Sequence, residues 1–268
     1  MKTTIAAIQL NSQPKLNQNL DQIYHFIKEA AEEGAKLVGL PENFAFYGDD
    51  EAMVSQASEI SGQVEEKLPE WAQEFGVYIL AGGYPVPAEN GKVYNHAIMV
   101  NPEGETIASY NKMHLFDVSL SEDEKYGESD YTQAGKPEPV VVGTPDLPKM
   151  GLSICYDVRF PELYRKQAEA GAELLTVPSA FTQTTGSDHW EVLLRARAIE
   201  NTAYLIAPAQ TGTHGEYRKT FGHAMIIDPW GKVLADAGIM PGVITAEVDL
   251  DYLEDVRKKL PSLRHRVL

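Results

Sequence analysis

The period of the apolar positions switches repeatedly along the chain. Ile5-Ala6-Ala7-Ile8-Gln9-Leu10 is a nearly continuous apolar run and reads as a buried strand. Asn19 opens a helical pattern in which Leu20, Ile23, Phe26, Ile27, Ala30 and Ala31 recur at helical spacing, with Gly34 placed to stop it. Residues 37–40 predict a short strand ending at Pro41-Glu42. A second helix runs to Phe75 with Gly76 as its stop, and Pro69 is expected to delay its start. Strands over residues 77–82 and 94–101 follow, and Pro102-Glu103-Gly104 turns the chain into another over residues 106–109. Farther on, Asp188-His189-Trp190-Glu191 reads as a capping box opening a helix through Asn201. Asp249 starts a last helix ending in Lys258-Lys259.

The second half repeats the first. Gly34-Ala35-Lys36-Leu37-Val38-Gly39-Leu40-Pro41-Glu42-Asn43-Phe44 aligns without gaps to Gly171-Ala172-Glu173-Leu174-Leu175-Thr176-Val177-Pro178-Ser179-Ala180-Phe181. The block from His96 to Gly104 aligns in the same way to the block from His223 to Gly231, each with a hairpin turn inside it. Two copies of a helix-and-sheet unit each have an apolar sheet face to bury, and packing those faces together buries both. The expected fold is α/β, with two central sheets face to face and helices outside, in one domain over residues 1–268.

Composition narrows the class. The chain is 43% hydrophobic, enough for a sizeable core, and its net charge of −16 argues against a nucleic-acid partner, which would need clustered Lys and Arg. A single cysteine cannot make an intrachain disulfide. With no secretory signal and no stretch near membrane-spanning length, a cytoplasmic protein is expected. The seven histidines show no helical ligand pair, and neither a P-loop nor a dinucleotide fingerprint occurs, so no metal or cofactor is expected.

Three residues could carry chemistry. Cys155 ends a strand in Ser153-Ile154-Cys155-Tyr156-Asp157, with Pro161 beginning a helix beyond it. A lone cysteine is more often a buried structural thiol, and its ordinary pKa leaves little thiolate, so a nucleophilic role requires a nearby base or cation. Glu42 ends the equivalent strand of the first half, where the second half carries Ser179; it is the candidate base. Lys112 follows a strand expected to be central and could donate to an oxyanion. Taken alone, each of the two would be an ordinary solvated charge. Arg159, four residues past Cys155, could bind a substrate carboxylate bidentately or pair with Glu162 or Asp157. Phe181 and Thr185 follow the repeated strand and could face the same pocket.

Leu40-Pro41-Glu42-Asn43-Phe44, Lys112-Met113-His114-Leu115-Phe116-Asp117 and Ile154-Cys155-Tyr156-Asp157-Val158-Arg159-Phe160-Pro161 resemble the three signatures of the nitrilase superfamily. The resemblance runs nearly end to end and implies a four-layer αββα sandwich with an internal pseudo-two-fold repeat, usually dimeric. It implies Cys155 as nucleophile, Glu42 as general base and Lys112 as oxyanion partner, the last aided by a backbone N–H near Tyr156. It also implies a second glutamate, Glu128, that orients substrate or assists proton relay. The sequences around Cys155 and His189 look most like amidases of deaminated glutathione and of ω-amides of 2-oxo acids. The expected reaction is therefore hydrolysis of a small carboxylate-bearing amide to carboxylate and ammonia through a cysteine thioester. An N-carbamoyl amine hydrolase or nitrilase is the enzymatic alternative, and an inactive thiol redox sensor or binding protein the alternative of another class.

Overall fold

A computed structural model describes residues 1–122, 124–216 and 218–267. The first half runs β1 (Lys2–Leu10), α1 (Leu16–Glu32), β2 (Leu37–Gly39), α2 (Asp50–Ser55), α3 (Ala57–Phe75), β3 (Tyr78–Pro87), β4 (Val93–Val100) and β5 (Thr106–Asn111). A small ribbon, β6 (Asp117–Ser119) and β7 (Lys125–Gly127), and the one-turn helix α4 (Glu128–Tyr131) lead to the second half. That half comprises β8 (Val140–Val142), β9 (Met150–Leu152), α5 (Pro161–Glu169), β10 (Leu174–Thr176), α6 (Gln183–Asn201) and β11 (Tyr204–Ala207). It continues through β12 (Ala209–His214), β13 (Arg218–Phe221), β14 (Met225–Ile227), β15 (Val233–Asp236), β16 (Gly242–Asp249) and α7 (Leu250–Lys259).

The two sheets share one topology. In the first, β1-β2-β3-β4-β5 lie side by side and β16 pairs antiparallel with β1; in the second, β9-β10-β11-β14-β15 lie side by side and β8 pairs antiparallel with β9. The repeat extends to single hydrogen bonds. Asn101 Oδ1 accepts from the Glu103 and Glu105 N–H groups, and Asp228 Oδ1 accepts from Trp230 and Lys232 at the matching turn. The hairpin of β12 and β13 is outside the repeat and extends the first sheet beyond β1.

Strand alternation sorts the core into layers. On β1, Ala6, Ile8 and Leu10 pack with Leu20, Ile23 and Ile27 of α1 and with Val64 and Leu68 of α3. Ile5 and Ala7 point the other way, into the cluster shared with the second sheet and with Trp190 and Leu194 of α6. Helix, sheet, sheet, helix is therefore the order of layers.

Three expected boundaries move. α1 starts at Leu16, and Asn19 lies inside it. The Asn19 amide serves the preceding loop, donating to the Gln13 and Ala45 carbonyls at 2.6 and 2.8 Å and accepting from Gln13 N–H at 3.0 Å. Pro69 lies within α3 and does not delay it. The lost bond would fall to the carbonyl of exposed Glu65, which water reaches, while Ile60, Val64, Leu68 and Ala72 hold the buried stripe. α6 begins a turn and a half before Asp188, because Thr182 caps it by accepting from Thr185 N–H at 3.3 Å.

Candidate active site

The loops that leave β2, β5, β9 and β10 at their carboxyl ends meet at one edge of the sandwich, as reactive groups do in α/β folds. They bring Glu42, Lys112, Cys155 and Ala180 around a single cavity. The close approach of two backbones sets Glu42. A Cβ on Gly82 would stand 2.3 Å from the Pro41 carbonyl oxygen, and one on Gly83 would stand 1.8 Å from Asn95 Oδ1. Only glycine lets the Pro41-Glu42 turn lie across β3 at this point.

Lys112 is 2% exposed and sits between two buried carboxylates. Its Nζ donates to Glu42 Oε1 at 3.0 Å and to Glu128 Oε1 and Oε2 at 2.9 and 2.8 Å. Glu128, expected to be the less regular member of the set, is buried on α4 and also accepts from the Phe116 N–H at 2.6 Å. Asn95 Nδ2 bridges the same pair, donating to Glu42 at 2.8 Å and to Glu128 at 3.3 Å. The second oxygen of Glu42 accepts from Ala180 N–H at 2.9 Å.

Burial works against every charge here, and the neighbours decide the outcome. Burial pushes the Glu42 carboxyl up, but the Lys112 charge and hydrogen bonds with Cys155, Lys112 and the Ala180 N–H outweigh it and leave the group below its ordinary value. Burial disfavours the Lys112 ammonium, yet Glu128, Glu42 and Cys155 hold it well above the usual lysine range. Burial and the Glu42 charge push the Cys155 thiol well above its ordinary value, with Lys112 only partly offsetting them. At neutral pH the site therefore holds a protonated thiol facing a carboxylate, ready for proton transfer.

Cys155 sits on a sharp turn with φ of 48°, a conformation uncommon for a side-chain-bearing residue. Asp157, fully buried, holds that turn to the Lys112 loop. Its Oδ2 accepts from Ile154 N–H at 2.8 Å and from the Tyr110 hydroxyl at 2.7 Å, and its Oδ1 accepts from His114 Nδ1 at 2.7 Å. Cys155 N–H donates to the Pro178 carbonyl at 2.9 Å, fixing the turn to the β10 loop as well.

Tyr156, Phe181 and Thr185 line the cavity. The Thr185 hydroxyl shares a hydrogen bond with Thr182, and the Phe181 ring also packs on Trp190 in the core, so both are structural as well as accessible. Arg159 is not on the cavity wall. Its guanidinium lies 5.0 and 5.8 Å from the ring centres of Phe181 and Tyr156 and contacts His189, and it pairs with neither Glu162 nor Asp157. Burial lowers its pKa, while the charges of Cys155 and Tyr156 act in the opposite sense.

Sequence reasoning missed Asn95, Asp157, Tyr47, Tyr131 and Arg218. All of these but Asp157 line the cavity, and Arg218 lies over the Tyr47 ring at 5.7 Å. Tyr47 stacks in turn on His214, with ring centres 4.3 Å apart. His214 Nδ1 donates to the Ser12 carbonyl at 2.7 Å and Nε2 accepts from Thr220 Oγ1 at 2.6 Å, a pairing that suits the neutral ring.

Burial pushes the His214 pKa down to about 4. An unfolded chain takes up this proton near pH 6.5, so the native state is fully favoured above that pH and loses about 3 kcal/mol as pH falls toward 4. Urea unfolding at pH 7 and pH 4.5 should show a smaller acid loss in His214→Asn than in the parent. Equal losses would refute this assignment.

Among the described residues, no cluster of three or more His, Cys, Asp or Glu is arranged to hold a metal ion, and no helix is long and apolar enough to cross a membrane.

A buried carboxylate, ammonium and thiol at the strand ends of a doubled α/β sandwich define a class of hydrolase. The carbon-nitrogen hydrolase family model matches residues 4–258, and the chain belongs to that family, within the nitrilase superfamily. It is a carbon–nitrogen hydrolase. It is 53% identical over 264 residues to a deaminated glutathione amidase of Synechocystis sp., covering 98% of this chain and 97% of that one. It is 36% identical to the omega-amidase NIT2 of Xenopus tropicalis, covering 99% and 95% of the two chains. The crystal structure of the C. elegans NitFhit protein superposes with a TM-score of 0.93 at 39% identity, covering 99% of this chain and 65% of that longer one.

Proposed function

We propose that this enzyme hydrolyses the amide bond of a small 2-oxo acid amide, with deaminated glutathione as first candidate and the ω-amide of a 2-oxo acid as second. The observation that carries the chemistry is the convergence of Glu42, Lys112 and Cys155 on one buried cavity, with Lys112 Nζ bonded to Glu42 at 3.0 Å. The relatives named as amidases of these substrates support the substrate class.

The geometry supports the following course of reaction. Cys155 Sγ attacks the carbonyl carbon while Glu42 takes the thiol proton. The carbonyl electrons move to oxygen, and the oxyanion is held by Lys112 Nζ and a backbone N–H near Tyr156. Lys112 has three protons; one meets Glu42 and one is shared by the Glu128 oxygens, leaving the third for the oxyanion. Collapse expels the amine, which takes its proton from Glu42. The leaving group is ammonia from an ω-amide and the amine of the attached peptide from deaminated glutathione. Glu42 then removes a proton from water as it attacks the thioester, and returns that proton to the departing thiolate. Glu128 and Asn95 keep Lys112 and Glu42 in place throughout.

Arg159 has no carboxylate partner among the described residues and lies beside the cavity, over Tyr156 and Phe181. A half-buried guanidinium without a counter-charge is suited to the 2-oxo acid carboxylate, with Phe181 and Thr185 shaping the space around it.

The test is a panel of deaminated glutathione, a 2-oxo acid ω-amide, an N-carbamoyl amino acid and an aliphatic nitrile, with free ammonia and free peptide amine both measured. Turnover is expected on the first two. Cys155→Ala should lose it entirely while its circular dichroism and melting temperature stay within error of the parent. Residual turnover in that variant removes the thioester mechanism, and preference for the carbamoyl compound or nitrile removes the substrate class.

The same reading favours a cytoplasmic homodimer. Val192 and Ile199 on α6 and Trp230 are exposed apolar residues, and Gly231 packs on Ile199, so the three form one patch suited to a second copy. Sedimentation at twice the chain mass is expected, and a monomer at micromolar concentration would exclude this interface.

A further inference from the structure

A second cation stands on the other wall of the site. Arg218 lines the inner cavity and also a broader recess outside it; Tyr126 and Tyr131 are likewise common to both. The inner cavity has a volume of about 70 Å³, room for a reacting amide and a few attached atoms, whereas the outer recess has about 490 Å³. Because Arg218, Tyr126 and Tyr131 border both spaces, an amide too long for the inner cavity can extend past Arg218 into the recess.

We propose that this outer recess is a subsite for an anionic group on the leaving amine, with Arg218 as its main contact and Lys125 and Lys219 as its outer charges. The proposal rests on the amidase reading above and deepens it. In deaminated glutathione the carboxylates lie on opposite sides of the scissile bond, one on the 2-oxo acid and one at the end of the departing peptide. Arg159 serves the first, and the subsite at Arg218 serves the second.

The local charge supports this use. The whole chain has 39 acidic residues against 23 basic ones, yet the outer recess carries Arg218, Lys125 and Lys219 against only Asp50 and Glu124. Both acids are engaged: Asp50 pairs with Arg218, and Glu124 accepts from the Thr184 and Tyr126 hydroxyls. Lys125 and Lys219 have no acidic partner among the described residues. A local excess of positive charge at the mouth of a cavity, in a strongly acidic protein, draws an anionic substrate and orients it.

Arg218 is also held ready. Its side chain is 26% exposed, anchored by Asp50 on one side and laid over the Tyr47 ring on the other, and that ring is backed by His214. A guanidinium has five N–H donors, so the pairing with Asp50 leaves others for a carboxylate. The arrangement fixes the fork before substrate arrives, which lowers the entropy cost of binding.

Two substrates separate the outcomes: deaminated glutathione and 2-oxoglutaramate, which lacks the second carboxylate. Arg218→Gln is expected to lower kcat/KM for the long amide about tenfold more than for the short one, chiefly through KM. Lys125→Gln combined with Lys219→Gln lies on the surface and should show the same bias at about threefold, with a weaker salt dependence of KM for the long amide. This pair decides the question if Arg218→Gln does not fold. Equal effects on the two substrates, or no effect on either, overturn the subsite and leave the amidase reading standing. A parent enzyme that cleaves neither amide overturns both.

Discussion

Glu42→Gln is expected to lower kcat by roughly 10²–10⁴-fold, against a stability loss of only about 1–3 kcal/mol for the one buried donor it leaves unpaired. The thiol it faces is held well above its ordinary range by burial and by the Glu42 charge, so very little thiolate forms without a base. Glutamine keeps the shape, but its single carbonyl oxygen can replace only one of the two acceptors that serve Lys112 and the Ala180 N–H, and it cannot take a proton. The parent enzyme should lose activity at low pH as Glu42 protonates. Because the Glu42 pKa lies below the ordinary carboxylate value, activity should be complete above that value and fall only as pH drops through the depressed one. A variant that retains more than a tenth of parental kcat would show that another group accepts the thiol proton.

Lys112→Met is expected to cost about 3–5 kcal/mol of stability and on the order of 10³-fold in kcat. The ammonium is the cation shared by two carboxylates that both lie beside Asn95 Nδ2. Without it, one carboxyl must take up a proton, and the base needed for thiol activation is compromised. The two losses separate in a double variant. Adding Glu128→Gln to Lys112→Met removes one of the two carboxylates left without a cation, so part of the stability should return while kcat stays low. Recovery of both together would mean that Lys112 acts only as a structural counter-ion.

How much of this could be read beforehand depended on whether the signal was periodic. The strand end carrying Glu42 was legible because the chain repeats itself there, and β2 and β10 do hold matching places in the two sheets; that of Cys155 was read from the strand before it and Pro161 after it. Asn95 was not legible. It lies beside His96 in the polar first half of β4, where a polar residue reads as solvent-facing, and the crossing of Pro41-Glu42 over Gly82 and Gly83 turns it into a bridge between two carboxylates. Arg218 was hidden for a different reason. It lies in a polar hairpin outside the repeat, and it reaches the cavity only because β12 leaves the second sheet at Pro208 and pairs with the end of β1. The start of α6 was misplaced because Thr182 and Asp188 are both good capping residues, and local sequence does not rank them.

The pairing of β16 with β1 has a consequence for how the chain is made. Residues 2–9 are synthesised long before their partners, residues 242–249. Until those partners are made, β1 presents bare N–H and C=O groups along an apolar edge, a surface prone to pairing with the wrong chain. Completion of the first sheet must therefore wait for residues 242–249, and a nascent polypeptide stalled before residue 242 would be a natural client for a chaperone.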